Sequence, residues 1–155
     1  MIEVNEKITI PAPPQRVWAL LSDPRAVVDC VPGAALGDML EDGSYDASVT
    51  VKFGPAKVTF RAKVALELEA AALVGHVTSK GRDKQGGTRF NAAMTFSVLE
   101  QTEPPGSAID IKATVEISGR LASLVESGAS LVVKHMTHEF SKRLAARFTD
   151  AGAHD

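Results

Sequence analysis

Alternating hydrophobic and polar residues run through most of the chain and predict a β-rich fold. Residues 2–10 place Ile2, Val4, Ile8 and Ile10 on one face of a half-buried strand. Four later segments alternate in the same way with polar residues opposite, which predicts an antiparallel sheet with one covered face. Their inward positions are Tyr45, Ala47, Val49, Val51 and Phe53; Val58, Phe60, Ala62, Val64, Leu66 and Leu68; Phe90, Ala92, Met94, Phe96 and Val98; and Ile109, Ile111, Ala113, Val115 and Ile117.

Turn-forming residues separate these strands and predict hairpins between them. The turns are Glu41-Asp42-Gly43, Gly54-Pro55, the stretch from Asp83 to Gly87, and Glu103-Pro104-Pro105-Gly106.

Two short helices are predicted between the first strand and the rest of the sheet. Pro13-Pro14 opens a helix over QRVWALLS, in which Val17, Trp18 and Leu21 share one stripe. A second helix begins after Asp23, a good N-cap, with Pro24 at its first position. It must end at Val31, because a residue before proline is pushed towards extended geometry. Together the two helices would form a V-shaped floor, which is either a gate or a structural corner.

One long helix is predicted over residues 119–149, where apolar residues recur at spacings of three and four. It would span about 46 Å, enough to cross a curved sheet. The apolar stripe consists of Leu121, Leu124, Val125, Gly128, Leu131, Val132, His135, Met136, Phe140, Leu144 and Phe148.

Length and charge narrow the class of protein. A chain of 155 residues suits one domain that buries about 70% of its unfolded surface, and we predict that domain over residues 1–150 with a short tail at 151–155. The net charge of −2 gives no overall attraction to nucleic acid. One cysteine, Cys30, allows no internal disulfide and suits a cytoplasmic protein. No apolar run is close to the length of about 20 residues that a membrane-spanning helix needs.

Small residues are frequent on the predicted inward faces. Interiors normally pack to high density, so this deficit indicates either a close approach of the helix or a cavity. We favour a cavity, which would be of the order of 300–1,000 Å³ and mostly apolar. The small residues are Ala47, Ala62, Gly75, Ser79, Gly81, Ala92 and Ala113 on the strands and Gly128 on the helix.

Four motifs carry a family resemblance: Asp23-Pro24, Pro32-Gly33, Gly54-Pro55 and Gly119-Arg120-Leu121-Ala122. With the order of elements, they resemble the CoxG-like family of carbon monoxide dehydrogenase subunits, within the START/Bet v 1-like helix-grip (SRPBCC) superfamily, over about residues 2–149. The resemblance implies an α+β fold in which a seven-stranded curved antiparallel sheet surrounds a long C-terminal helix and a hydrophobic cavity. It also implies a role beside a molybdenum hydroxylase of the xanthine oxidase type, in maturation, membrane recruitment or quinone-linked electron transfer.

Residues equipped for catalysis are scarce. The sequence has no glycine-rich nucleotide loop, no serine-hydrolase motif and no cysteine pair for a metal. His135, His138 and Glu139 are closely spaced but need further ligands from elsewhere to hold a metal, so no metal and no cofactor is predicted. An acid or base in the cavity would have to come from Glu6, Tyr45, Asp110 or His135. Glu6 lies on the apolar face of its strand, either at a bend or rim or as a polar anchor.

Two functions are compatible with this pattern. The first is a non-enzymatic, cytoplasmic protein that binds an apolar ligand, with a quinone as one candidate, as an accessory of a molybdenum hydroxylase. The second is a cyclase, dehydratase or hydrolase acting on an apolar substrate. Basic residues near the chain end, Lys134, Lys142, Arg143 and Arg147, suit the helix dipole and would also suit an acidic partner or peripheral contact with the inner face of the membrane. The predicted ligand-binding residues are Tyr45, Ala47, Phe60, Ala62, Phe90, Ala92, Met94, Ile111, Ala113, Leu121, Leu124, Gly128, Leu131 and His135.

Overall fold

The order of elements matches the predicted one: a strand, two short helices, six strands and a long helix. The computed structural model describes residues 2–53, 56–83, 87–119 and 122–154, with the backbone alone for residues 53, 56, 122–130 and 149–154. The elements are β1 (Ile2–Ile10), α1 (Pro14–Leu21), α2 (Pro24–Cys30), β2 (Ala34–Met39), β3 (Tyr45–Phe53), β4 (Ala56–Glu69), β5 (Val74–Asp83), β6 (Thr88–Gln101), β7 (Gly106–Gly119) and α3 (Ala122–His154).

The seven strands form one antiparallel sheet in the order β1-β7-β6-β5-β4-β3-β2. Consecutive strands from β2 to β7 are neighbours, and β1 adds to the far edge beside β7. The register aligns inward-facing residues in rows across the sheet, so that Met94 of β6 lies between Val77 of β5 and Ala113 of β7. This confirms the helix-grip fold.

The two short helices begin and end where their capping residues require. The Asp23 carboxylate accepts a hydrogen bond from the backbone N–H of Arg25 at 3.1 Å, which caps α2. Val31, before Pro32, has extended backbone angles and ends it. An ion pair between Asp29 of α2 and Arg147 of α3, at 3.7 Å, joins this floor to the long helix.

The long helix begins later and ends later than the sequence pattern predicted. It spans Ala122–His154 instead of residues 119–149. Gly119 still belongs to β7, with φ of +106°, and a Cβ atom there would collide with the carbonyl oxygen of Gly87. Glycine is therefore needed where β7 ends. The predicted turn at Gly54-Pro55, the centre of the 83–87 turn and Arg120-Leu121 lie outside the described residues.

A dense core occupies one end of the interior, where α1 and the second half of α3 meet the sheet. The rings of Trp18 and Phe96 pack with centroids 5.9 Å apart. Leu144 and Phe148 of α3 are buried in the same cluster, so the helix is firmly attached at this end. The other members include Ile8, Ile10, Val17, Leu21, Val98, Ile109 and Ile111.

Two glycines of β5 lie under phenylalanine rings of β6. A Cβ atom on Gly75 would collide with the Phe96 ring, and a Cβ atom on Gly81 would collide with the Phe90 ring. The sequence interpretation, in which both glycines leave empty volume, is therefore wrong. A ring from the neighbouring strand β6 fills the space above each glycine. The sequence of β5 alone does not show this, because it depends on how β5 and β6 are paired.

We expect Gly75→Ala to destabilise the fold by about 1–3 kcal/mol, because its methyl group must displace the Phe96 ring from a packed core. The atoms in collision are Cε1, Cε2 and Cζ of the ring, and leucine lacks them. Gly75→Ala should therefore cost much less in a Phe96→Leu background. Urea unfolding of the four proteins in this double-mutant cycle measures the difference. Additive costs would contradict the contact.

Candidate functional site

A cavity of about 350 Å³ lies between the inward face of the sheet and the middle of α3. The helix contributes Val132, Val133, Met136, Thr137 and Phe140 to the described lining. Val27 of α2 and Val31, directly after α2, also line it. The sheet supplies mainly aliphatic and aromatic side chains. They include Val4, Val49, Val51, Phe60, Val77, Ser79, Phe90, Ala92, Met94, Ile111, Ala113, Val115 and Ile117. We call this space the larger chamber.

A second space of about 100 Å³, the smaller chamber, lies towards α1 and the β2–β4 side of the sheet. Five residues line both chambers, so the two spaces are adjacent. These are Val27, Val77, Met94, Ile111 and Phe140. The other lining residues of the smaller chamber include Leu21, Pro24, Val28, Leu36, Tyr45, Ala47, Val64, Leu66, Phe96 and Ile109.

Strand pairing explains where the larger chamber lies. Along β6, Phe90 and Phe96 reach over the two glycines of β5, whereas Ala92 between them pairs with Ser79. Ala113 on β7 lies beside Met94 in the next row. Small side chains therefore face α3 between the two rings. The second half of α3 packs in the dense core, and the middle of the helix does not fill the space above these small side chains.

Most of the predicted ligand-binding residues of the sheet line one of the two chambers. Tyr45 and Ala47 line the smaller chamber. Ala62 lines neither, because it pairs with Gly81, across which the Phe90 ring lies. The larger chamber brings together Phe60, Phe90, Ala92, Met94, Ile111 and Ala113.

The helical part of the prediction needs correction. Leu131 is 71% exposed and His135 is exposed as well, so neither side chain faces the chambers. Three other members of the predicted stripe, Val132, Met136 and Phe140, do line the larger chamber. Each residue turns the helix by about 100°, so Leu131 and His135, each one residue before an inward side chain, face away from the chamber. Leu121 and the side chains of Leu124 and Gly128 lie outside the described residues.

The valines of α2 are site residues that the sequence interpretation missed. Val27 and Val31, four residues apart, line the larger chamber, and Val27 and Val28 line the smaller one. Val27 and Val28 lie on α2 and Val31 follows directly after it, so only the folded position of this segment shows that these valines close a cavity. Thr137 of α3 was also missed.

Few polar groups face the chambers. In the described lining of the larger chamber, only Ser79 and Thr137 have polar side chains, and the Thr137 hydroxyl donates to the Val133 carbonyl oxygen at 2.8 Å. Tyr45 is the one titratable residue in the described lining of either chamber. Glu6 is exposed, and neither Glu6 nor Asp110 lines either chamber. A positioned acid–base pair is therefore missing from the described lining.

A histidine on the other face of the sheet has partners but no access to the chambers. His76 Nδ1 lies 3.0 Å from the Thr95 hydroxyl, and its Nε2 lies 3.2 Å from a Glu69 carboxylate oxygen. The strand alternation places this group opposite the lining residues Val77 and Met94. It joins three strands on the outer face and does not reach a ligand in the interior.

Cys30 is buried at the end of α2, and burial raises the pKa of its thiol. The positive charge of Arg147 acts in the opposite direction and is the smaller effect. The thiol is therefore neutral near pH 7 and packs against the core.

The residues that the structure describes contain no cluster of three metal-ligating side chains.

A family model described as the CoxG subunit of carbon monoxide dehydrogenase matches residues 7–149. The chain belongs to this family. The match includes α1, α2, six of the strands and most of α3, together with β1 from Lys7. It therefore contains all the described lining residues of the two chambers except Val4. A comparison with curated proteins finds no match for this CoxG family member.

Solved structures with the same fold align with nearly the whole chain. A conserved protein from Geobacillus kaustophilus aligns with TM-score 0.82 and 18% identity, over 97% of each chain. A START superfamily protein from Mycobacterium smegmatis aligns with TM-score 0.62 and 15% identity, over 96% of this chain and 98% of its own. The Zhui aromatase/cyclase from Streptomyces sp. R1128 aligns with TM-score 0.65 and 13% identity, over 95% of this chain and 93% of its own. Identities this low show the fold alone.

Within the described part of this CoxG family protein, no helix combines the length and apolar composition of a membrane span.

Two alanine-to-leucine substitutions distinguish an open chamber from packed interior. Ala113→Leu adds its side chain to the larger chamber and should leave the free energy of unfolding unchanged or raise it. Ala62→Leu places the same group at a buried position outside both chambers and should cost about 1–3 kcal/mol. Chemical denaturation measures both. Equal losses in the two variants would mean that the space beside Ala113 is closed.

Proposed function

We propose that this protein binds a hydrophobic small molecule in its two chambers and serves a molybdenum hydroxylase as a non-enzymatic accessory. The observation that carries the proposal is the cavity of about 350 Å³ with a nearly wholly apolar described lining. A packed domain of this size has few voids larger than a water molecule. A space this large, lined by side chains that water solvates poorly, fits an apolar ligand.

The energetics allow useful affinity. A ligand that buries about 500 Å² of apolar surface gains about 12 kcal/mol. After an association cost of at least about 4 kcal/mol, at most about 8 kcal/mol remains, which corresponds to a dissociation constant in the micromolar range at best. Hydrogen bonds to Ser79 or Thr137 in the larger chamber would orient the ligand more than they would tighten its binding.

Family membership supports the choice of partner. The family takes its description from a component of carbon monoxide dehydrogenase, and we propose an enzyme of that type, or of the related xanthine oxidase type, as the partner. A quinone is a suitable ligand for such a pair, because it is apolar and accepts the electrons that a hydroxylase must release.

The outward face of α3 is our candidate for the docking surface. Lys134, Lys142 and Arg143 are exposed there together with His135 and His138, and Leu131 adds an exposed apolar side chain. This surface would fit an acidic patch on the hydroxylase, and an anionic membrane is the alternative contact.

Catalysis is the alternative function, and the described lining gives it little chemistry. Of the four candidate acids and bases, only Tyr45 lines a chamber. An enzyme would need a group positioned at the reacting atoms, so turnover that disappears in Tyr45→Phe while ligand binding persists would favour catalysis over binding alone.

Ligand binding can be tested with protein purified from its own host. We expect native mass spectrometry to show a retained apolar compound, and Ala92→Leu to reduce its occupancy because the new side chain takes up part of the larger chamber. Ala65→Leu is the matched control, since Ala65 is exposed on the same sheet. A protein without ligand that also fails to bind quinones and fatty-acyl compounds would contradict the proposal.

The partnership predicts a complex with the host's molybdenum hydroxylase. Size-exclusion chromatography should show co-elution that weakens as salt rises, because exposed charges attract the partner. Charge reversal by Lys134→Glu with Lys142→Glu should abolish co-elution without changing ligand binding. Binding to anionic vesicles alone, with no complex at low salt, would favour the membrane contact instead.

A further inference from the structure

The two chambers differ in size, and both are lined almost wholly by apolar groups. The larger one, about 350 Å³, has the Ser79 and Thr137 hydroxyls in its described lining. The smaller one, about 100 Å³, is lined by aliphatic and aromatic side chains, with the Tyr45 hydroxyl as its polar group among the described residues. The chambers meet at Met94 and Phe140. Methionine side chains are flexible and adapt to irregular spaces, so this boundary can yield to a ligand.

We propose that one uncharged ligand spans both chambers, with a ring or other bulky polar end in the larger chamber and an apolar tail in the smaller one. The inference rests on the proposed ligand-binding function and deepens it by naming the ligand class. Ala47 then sets the length of tail that the protein accepts.

The absence of charge from the described lining determines the ligand class. No lysine, arginine, histidine, aspartate or glutamate side chain is among the described lining residues of either chamber. A carboxylate or ammonium group there would lose its hydration without gaining a counter-charge, which is strongly unfavourable. A carbonyl or hydroxyl oxygen can be accommodated instead, because the Ser79 hydroxyl makes no hydrogen bond to another described residue.

Volume and side-chain size determine the orientation. A ring with a polar substituent fits the larger chamber and exceeds the smaller one. In the smaller chamber Ala47 is the one alanine in the described lining, and it pairs with Leu36 of β2 and Ala62 of β4. Ala47 lines only the smaller chamber, so a larger side chain at position 47 shortens the space for a tail and leaves the part of the larger chamber around Ala92 and Ala113 open.

A series of alkyl phenyl ketones of increasing chain length tests this inference. Displacement of the neutral dye N-phenyl-1-naphthylamine gives each dissociation constant. In the wild type we expect affinity to rise about fourfold per methylene group until the tail fills the smaller chamber, and then to level off. The 4-alkylbenzoic acids of matched length should bind far more weakly at neutral pH, because they carry a charge.

Two variants separate the chambers. Ala47→Leu should leave the shortest ketones unaffected and should end the rise in affinity a few carbons earlier, with Ala47→Val giving an intermediate length and a milder change to the fold. Ala92→Leu, in the larger chamber, should weaken every ketone by a similar factor.

The outcomes distinguish this inference from the function on which it rests. If the longest tail that still improves ketone binding is the same in the wild type, Ala47→Val and Ala47→Leu, the tail does not lie in the smaller chamber. The proposed binding of hydrophobic ligands would still stand. Benzoates that bind as well as ketones would overturn the uncharged class. A wild type that binds neither the dye nor any ketone would overturn the inference together with the proposed function.

Discussion

Two phenylalanine rings on β6, each lying across a glycine of β5, determine how the interior of this protein is divided. Phe96 covers Gly75 and packs against Trp18, so its ring belongs to the dense core. Phe90 covers Gly81 and meets the Phe60 ring edge to face, with centroids 5.3 Å apart. Between the two rings β6 offers only Ala92 and Met94 to the helix. The sheet is thus packed at both rings and open between them.

This division lets one domain combine stability with a cavity. Burial around Leu144 and Phe148 attaches α3 at one end, while its middle faces the larger chamber through Val132 and Met136. Side chains around a void lose the dispersion contacts that a packed neighbour would provide. A ligand that fills the space restores those contacts, so the cavity that weakens the empty protein also supplies the driving force for binding. The valines of α2 complete the wall, and the ion pair of Asp29 with Arg147 connects this wall to the helix.

The sequence was sufficient for features that depend on local pattern. Alternation of residue type predicted the strands, and Asp23, Pro24 and Pro32 predicted the limits of α2, because capping and proline geometry act within a few residues. The direction of the α3 face was harder to predict. Apolar residues stand at 131, 132 and 133 in succession, so the predicted stripe included Leu131 and His135 together with Val132 and Met136. Only the latter two face the larger chamber.

Features that depend on pairing between distant segments were not visible in the sequence. Gly75 and Gly81 look like missing volume in a single strand, and only the register of β5 with β6 brings a ring over each. Ala62 resembles Ala92 in the alternation, yet the neighbour of Ala62 is Gly81 under its ring, and the neighbour of Ala92 is Ser79 beside the open space. The contribution of α2 to the lining likewise follows from tertiary position.

The most direct test of this account is a crystal structure of the protein purified from its own host. The account predicts electron density for an apolar compound between the Phe90 and Phe96 rings, in contact with Ala92 and Ala113 and covered by Met136 of α3. An interior in which α3 packs directly onto Ala92 and Ala113, with no space for a ligand, would contradict it.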